Sequence, residues 1–212
     1  VLDVACGRGV SAMHLAQRFG CHVTGVDYGV ENVTAAQVHA AENGVADLTT
    51  FRQGDAEGQP FDDGMFDAAI SECSFCTFPD KPTATSEFFR VLQPGGRLGL
   101  SDITRNGPLP AELESLFAWI SCFADAQPIE RYVGYLESAA LIVDHIENRD
   151  EALIQKTIDV QSKLFGAEML VKLNKIDLPG IDLRQARRVA RTASRAFADG
   201  ELGYALIVAS SF

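Results

Sequence analysis

The sequence has no apolar run approaching the roughly 20 residues of a membrane-spanning helix, and no signal peptide is visible. Positive charge is scarce: 18 Lys and Arg face 29 Asp and Glu, a net charge of -11. That balance argues against a nucleic-acid partner, because phosphate binding needs basic residues concentrated on one face. The single basic cluster, Arg184, Arg187, Arg188, Arg191 and Arg195, recurs at helical spacing and reads as the solvated face of an amphipathic helix. The cysteines number five, an odd count without the short regular spacing of a disulfide framework, so a reducing cytoplasm is the expected location. Internal repeats, low-complexity tracts and linkers are missing as well. With 212 residues, 47% of them hydrophobic, the expectation is one domain over residues 1–212. The chain opens on the apolar strand Val1-Leu2-Asp3-Val4 with no initiator Met, which suggests that an N-terminal cap is missing.

What is present is an alternation of short apolar runs with helical stretches, the pattern of an α/β fold with a mostly parallel sheet. Val1–Ala5, His22–Asp27, Leu48–Gln53, Phe66–Ser71 and Arg97–Asp102 read as strands, and Ser11–Phe19, Glu31–Asn43 and Thr83–Leu92 as helices between them. Gly20, Gly44 and Pro94-Gly95-Gly96 supply helix stops. Beyond residue 103 the pattern predicts helices over Leu109–Ala124, Ile129–Ala140, Glu151–Leu173 and Leu183–Ala198. It also predicts strands over Leu141–Ile146 and Leu202–Ser210.

The strongest local feature is Leu2-Asp3-Val4-Ala5-Cys6-Gly7-Arg8-Gly9, a strand running into a glycine turn ahead of a helix. Glycines there let backbone approach a ligand where a side chain would obstruct it. Gly7-Arg8-Gly9-Val10-Ser11-Ala12 also satisfies the dinucleotide fingerprint, with Asp27 placed to accept from ribose hydroxyls. This pair alone leaves an NAD(P)-dependent oxidoreductase and a methyltransferase level. Three further features separate them. Asp3 puts an acid inside the first strand. Gly54-Asp55-Ala56 puts a carboxylate after the third strand, where it can accept from an adenine amino group. Phe66-Asp67 opens a fourth strand, and Leu92-Gln93-Pro94-Gly95-Gly96-Arg97-Leu98, read as helix, leads into the fifth.

In this ordered set, residues 1–146 resemble the class I S-adenosylmethionine (SAM)-dependent methyltransferases, especially the ubiquinone/menaquinone and arsenite methyltransferase branch. The resemblance implies a Rossmann-like, doubly wound, seven-stranded sheet with an antiparallel last strand and helical insertions after strands five and six. It implies SAM as cofactor and a small-molecule acceptor. Asp3, Gly7 and Gly9 match the glycine motif, Asp27 the ribose-binding acid with Tyr28 beside it, and Asp55 and Ala56 the adenine-binding pair. Ser71 and Glu72 match the segment beside the methionine moiety, with Glu72 the candidate general base. Ala5 departs from the pattern, which commonly has Gly there, and should narrow the turn without abolishing it.

The fourth strand ends at Ser71-Glu72-Cys73-Ser74-Phe75-Cys76, near the expected position of the transferring methyl. Cys73 and Cys76 form a C-x-x-C pair, but the context fits neither a thioredoxin-like redox motif nor a structural zinc site, and no metal is expected. Packing as small apolar residues is the plainer reading. The sharper one comes from the resemblance: Ser71-Glu72-Cys73 with Pro79-Asp80-Lys81 is similar to the arsenite methyltransferase segment, and Cys122 falls where that family places a second arsenic-binding thiolate. Cys73 and Cys122 are therefore candidate ligands for a soft acceptor. A quinone- or phenol-type O, N or C acceptor, or a SAM-binding protein without catalysis, are the alternatives. Trp119, Phe117 and Phe123 are candidates to line an acceptor pocket, or core. His14, His22, His39 and His145 are assigned no role.

Overall fold

The computed structural model describes residues 1–114 and 125–212. In chain order these form β1 (Leu2–Val4), α1 (Val10–Phe19), β2 (Val23–Asp27), α2 (Val30–Glu42), β3 (Thr49–Gln53) and β4 (Phe66–Glu72). Then come α3 (Lys81–Val91), β5 (Leu92–Arg105), α4 (Ile129–Ser138), β6 (Ile142–Asn148), α5 (Asp150–Lys172), α6 (Leu183–Ala198) and β7 (Leu202–Ser210). The expected fold class is what is found: a seven-stranded mixed sheet in the order β3-β2-β1-β4-β5-β7-β6. β3 to β5 pair in parallel through β2, β1 and β4. β7 runs against β5, since backbone bonds join Gly96 to Ser211 at one end and Asn106 to Glu201 at the other. Strand order reverses at β1, with β2 on one side and β4 on the other. Open α/β sheets bind their ligands outside the strand C-termini at such a switch.

Two boundaries differ from expectation. Leu92–Leu98, expected as helix, is extended: α3 stops at Val91, and Leu92 already has φ -80° and ψ 135°. Pro94 is the reason, because its ring disfavours helical geometry at the preceding residue and it has no N–H to donate. In the stretch expected as helix over Leu109–Ala124, the described part is a 3-10 turn at Ala111–Glu114, and the rest lies outside the described residues.

The chain folds into two compact units. The first comprises Val1–Asp102, Glu130–Glu147 and Leu206–Phe212. Its α1 and α2 bury Ala12, Met13, Ala16, Val33, Ala36 and Ala40 against Val23 and Phe51 of the sheet. Small residues on those helix faces allow close helix–sheet approach, and Phe51 fills the space they leave. A second aromatic cluster centres on the fully buried Phe75, ringed by Phe78, Phe88, Tyr132 and Tyr135 with centroids 5.5 to 6.5 Å away. The other unit comprises Ile103–Ile129 and Asn148–Ala205. There α6 turns Val189, Ala193, Ala196 and Phe197 onto Ile103, Leu113 and Leu202. Arg184, Arg188, Arg191 and Arg195 stay on the opposite face, while Arg187 pairs with Glu168 and lies over the Phe165 ring. The arginine cluster is thus the outer face of an amphipathic helix. Among the described residues no helix is long and apolar enough to cross a membrane.

Candidate functional site

The site is built where β1, β2 and β3 end. β1 leaves the sheet through Ala5 (φ 57°), Gly7 (φ 53°) and Gly9 (φ 78°), three left-handed residues within five. Cys6 N–H still donates to Val26 O at 3.0 Å, so the turn begins while the chain is tied to β2. Gly9 N–H closes the turn on Cys6 O at 2.9 Å, and Gly9 O accepts from Met13 to start α1. The two glycines are needed for different reasons. A Cβ on Gly9 would lie 2.7 Å from the Phe51 ring, whereas one on Gly7 would meet nothing within 4 Å. Gly9 therefore serves packing, and Gly7 leaves backbone open to a ligand. Ala5 adopts the left-handed conformation that suits glycine, so its methyl is accommodated at a strain of about 1–2 kcal/mol.

Gly9→Ala should combine left-handed strain with overpacking against Phe51, each costing about 1–3 kcal/mol. A denaturant midpoint within error of wild type would show that the turn can relax.

Asp27 ends β2 and is 8% exposed. Its Oδ2 accepts Gly7 N–H at 2.7 Å, and its Oδ1 accepts Gly29 N–H and the Asn32 side-chain amide, both at 2.9 Å. The carboxylate thus bridges the glycine turn and the start of α2. After β3, a Cβ on Gly54 would approach Val26 to 2.7 Å, so glycine is required there for close packing. Asp55 Oδ1 accepts from Glu57 N–H at 2.9 Å, which bends the chain back along the site. A cavity of about 450 Å³ opens between these ends, lined by Ala5, Val26, Asp27, Tyr28, Gly54, Asp55, Ala56 and Glu57 on one side. Thr77, Phe78 and Pro79 form the other wall. Tyr28 stands at the rim, 77% exposed.

Asp3 is 2% exposed, and its Oδ2 has no hydrogen-bond partner among the described residues. Burial pushes its pKa up to about 7, helped by the negative charges of Glu72 and Asp27 and opposed by a hydrogen bond from Ala12 N–H. The Cys6 thiol is driven up to about 12, first by burial and then by Asp3 and Asp27. It is therefore protonated and no nucleophile at neutral pH. Glu72 is exposed at the end of β4 and accepts from the Ser11 hydroxyl, which ties α1 to β4. Ser71 is fully buried, its Oγ 3.0 Å from Ser74 Oγ.

The two cysteines of the C-x-x-C pair part company. Cys73 is half-buried at φ 50°, with its N–H on Ser101 O at 2.8 Å. Cys76 is fully buried in the 3-10 turn Phe75–Thr77, its N–H held by Asp102 Oδ2 at 2.9 Å. Cys122, Phe117, Trp119 and Phe123 lie outside the described residues. The structure thus brings Asp3, Gly7, Asp27 and Glu72 to one sheet edge and places Asp27, Tyr28, Asp55 and Ala56 around one cavity. Sequence reasoning missed Ser11, Asn32, Glu57 and the Thr77–Pro79 wall. Their signals are weak: a polar residue in a first helical turn usually reads as solvent-facing, and in the wall's loop only Pro79 belongs to a segment that the sequence singles out.

Residues 2–100 match the family model described as a methyltransferase domain. These residues form a class I SAM-dependent methyltransferase domain. Across 99% of its length the chain is 29% identical to the O-methyltransferase cnsE of Penicillium expansum, covering 71% of that protein. It is 30% identical over 155 residues to an arsenite methyltransferase of Halobacterium salinarum, covering 72% of this chain and 39% of that protein. Among solved structures, phosphoethanolamine N-methyltransferase 2 of Haemonchus contortus superimposes on 99% of the chain with a TM-score of 0.82 at 18% identity, spanning 48% of that chain. This last likeness concerns the fold. The chain spans between 27% and 73% of the length of curated proteins that it matches.

Proposed function

We propose that this protein, acting as one catalytic domain over residues 1–212, transfers the sulfonium methyl of SAM to a small-molecule acceptor and releases S-adenosylhomocysteine. The observation that carries the reading is the cavity between Asp27 and Asp55, beside an open Gly7 backbone and a buried carboxylate with an oxygen that lacks a partner among the described residues. These groups fit the ligand. Asp27 has acceptor capacity left for a ribose hydroxyl, and Asp55 with Ala56 borders the space for the adenine. Asp3 and Glu72 set negative charge at the β1 and β4 ends, complementary to the ammonium of the methionine moiety. When bound, SAM supplies an electrophilic methyl open to in-line attack, so the residues' work is to orient it and exclude water.

Two acceptor readings divide the rest. A soft, thiol-held acceptor on Cys73 and Cys122 is supported by the half-buried thiol at the end of β4 and by the identity with the arsenite methyltransferase. Such an acceptor needs no general base. An O, N or C acceptor is supported by the match to an O-methyltransferase along nearly the whole chain, including the part beyond β6. In that reading Glu72 is the base. Burial of Cys76 leaves Cys73 as the half-buried thiol of the C-x-x-C pair, so the soft-acceptor reading depends on Cys122.

Transfer of isotopic methyl from SAM is to be measured with arsenite and with a panel of phenols, quinols and amines. Arsenite-dependent turnover that disappears in both Cys73→Ser and Cys122→Ser would assign the soft acceptor. Turnover with an organic acceptor that survives both changes assigns the other class. SAM binding without transfer to any acceptor would leave a binding protein and overturn the catalytic reading.

A further inference from the structure

Asn32, on the first turn of α2, belongs to none of the motifs, yet its amide reaches the carboxylate at the centre of the site. The three donors on Asp27 are unevenly divided. Oδ1 takes both Gly29 N–H and Asn32 Nδ2 at 2.9 Å, while Gly7 N–H donates to Oδ2 at 2.7 Å. A carboxylate oxygen offers about two lone-pair sites, so Oδ1 is saturated and Oδ2 keeps one. Gly29 gives independent support. Its φ of -80° is open to any residue, so torsion does not require glycine there. A Cβ at that position would instead lie 3.3 Å from both Asn32 Nδ2 and Asp27 Oδ1, the two atoms of the hydrogen bond. The backbone passes close, and glycine keeps that space clear.

We propose that Asn32 is a positioning residue that locks the Asp27 carboxylate with one Oδ2 acceptor site free for a ribose hydroxyl of a ribonucleoside ligand. The proposal rests on the reading of the cavity as the SAM site. Asn32 acts through Asp27 and makes no contact with the reacting atoms.

Calorimetry with S-adenosylhomocysteine on the full chain tests it, using Asn32→Asp and Asn32→Leu between pH 5.5 and 8.5. In Asn32→Asp a second carboxylate replaces the donor and faces Oδ1. The pair repels at high pH and shares a proton as pH falls, which restores the hydrogen bond. The ratio of variant to wild-type Kd should be at least about tenfold at pH 8.5 and fall towards one at pH 5.5. Asp3 and Cys6 on the β1 side, Glu31 on α2, and Asp55 and Glu57 after β3 also surround Asp27. Taking the ratio at each pH cancels whatever these groups contribute equally to both proteins. Asn32→Leu should show a similar loss at every pH. A ratio for Asn32→Asp that does not change with pH, or unaltered binding by Asn32→Leu, overturns the positioning role while leaving the cofactor reading intact. Absence of binding by the wild-type chain overturns both.

Discussion

Replacing Asp3 by Asn should stabilise the ligand-free protein at pH 8 and, at the same time, weaken its hold on SAM. Asp3 is buried, has an oxygen without a partner among the described residues, and has its pKa pushed up to about 7 by burial and by Glu72 and Asp27. Between pH of about 4 and 7 the folded protein therefore holds a proton that the unfolded chain has already released. Stability present below the unfolded pKa is lost as pH rises through that window, and the curve flattens above it. A shift of about three units corresponds to about 4 kcal/mol at most. Asn keeps the shape and an acceptor for Ala12 N–H but carries no charge, so its stability should be nearly flat over the same window. Urea midpoints from pH 5 to 8.5 check this, and parallel curves for the two proteins would show that Asp3 is not the titrating group. The binding arm has the opposite sign. A cationic ammonium selects the ionised carboxylate, so wild-type affinity for SAM should rise with pH through 7. Asp3→Asn should lose that rise and bind about tenfold or more weakly above pH 8. The same buried charge is thus a burden on the fold and an asset for the ligand, as is common at functional sites.

The second large effect is expected for Asp27→Ala. This change removes the proposed acceptor for a ribose hydroxyl and also strands three donors: Gly7 N–H, Gly29 N–H and the Asn32 amide. A hydrogen bond to a charged group contributes about 1.5–3 kcal/mol, so loss of the ribose contact should weaken SAM at least about tenfold. Partly buried donors left without a partner should also cost about 1–3 kcal/mol of folding stability. Titration calorimetry with SAM and S-adenosylhomocysteine reads the first effect, and a denaturant midpoint reads the second. Both ligands carry the same ribose, so both should weaken alike. Loss of SAM alone would move Asp27's contact to the sulfonium, and binding of NADH with none of SAM by the wild type would overturn the cofactor assignment altogether.

Much of this is written in the linear sequence because it depends on local chemistry. The alternation of apolar runs and helical stretches specifies the strands and helices, since each must bury one face. The order Asp3, Gly7, Asp27, Asp55 specifies the edge proposed for the cofactor, because a parallel sheet brings successive strand C-termini together whatever lies between. Pro94 is legible too, although the stretch that it holds extended, Leu92–Leu98, reads from the sequence as helix.

Other properties exist only once the chain is folded. Whether Asp27 is held by a turn 20 residues away, and by which oxygen, follows from the approach of β1 to β2. That Gly9 is needed for space, and Gly7 for openness, follows from where Phe51 of β3 points. The raised pKa of Asp3 is a sum over burial and two carboxylates from β2 and β4. The C-x-x-C spacing gives Cys73 and Cys76 equal standing, but the 3-10 turn buries one thiol and leaves the other half-buried. Residue identities state which groups are available. Their distances, solvation and mutual charge, which set what those groups can do, come from contacts between strands far apart in sequence.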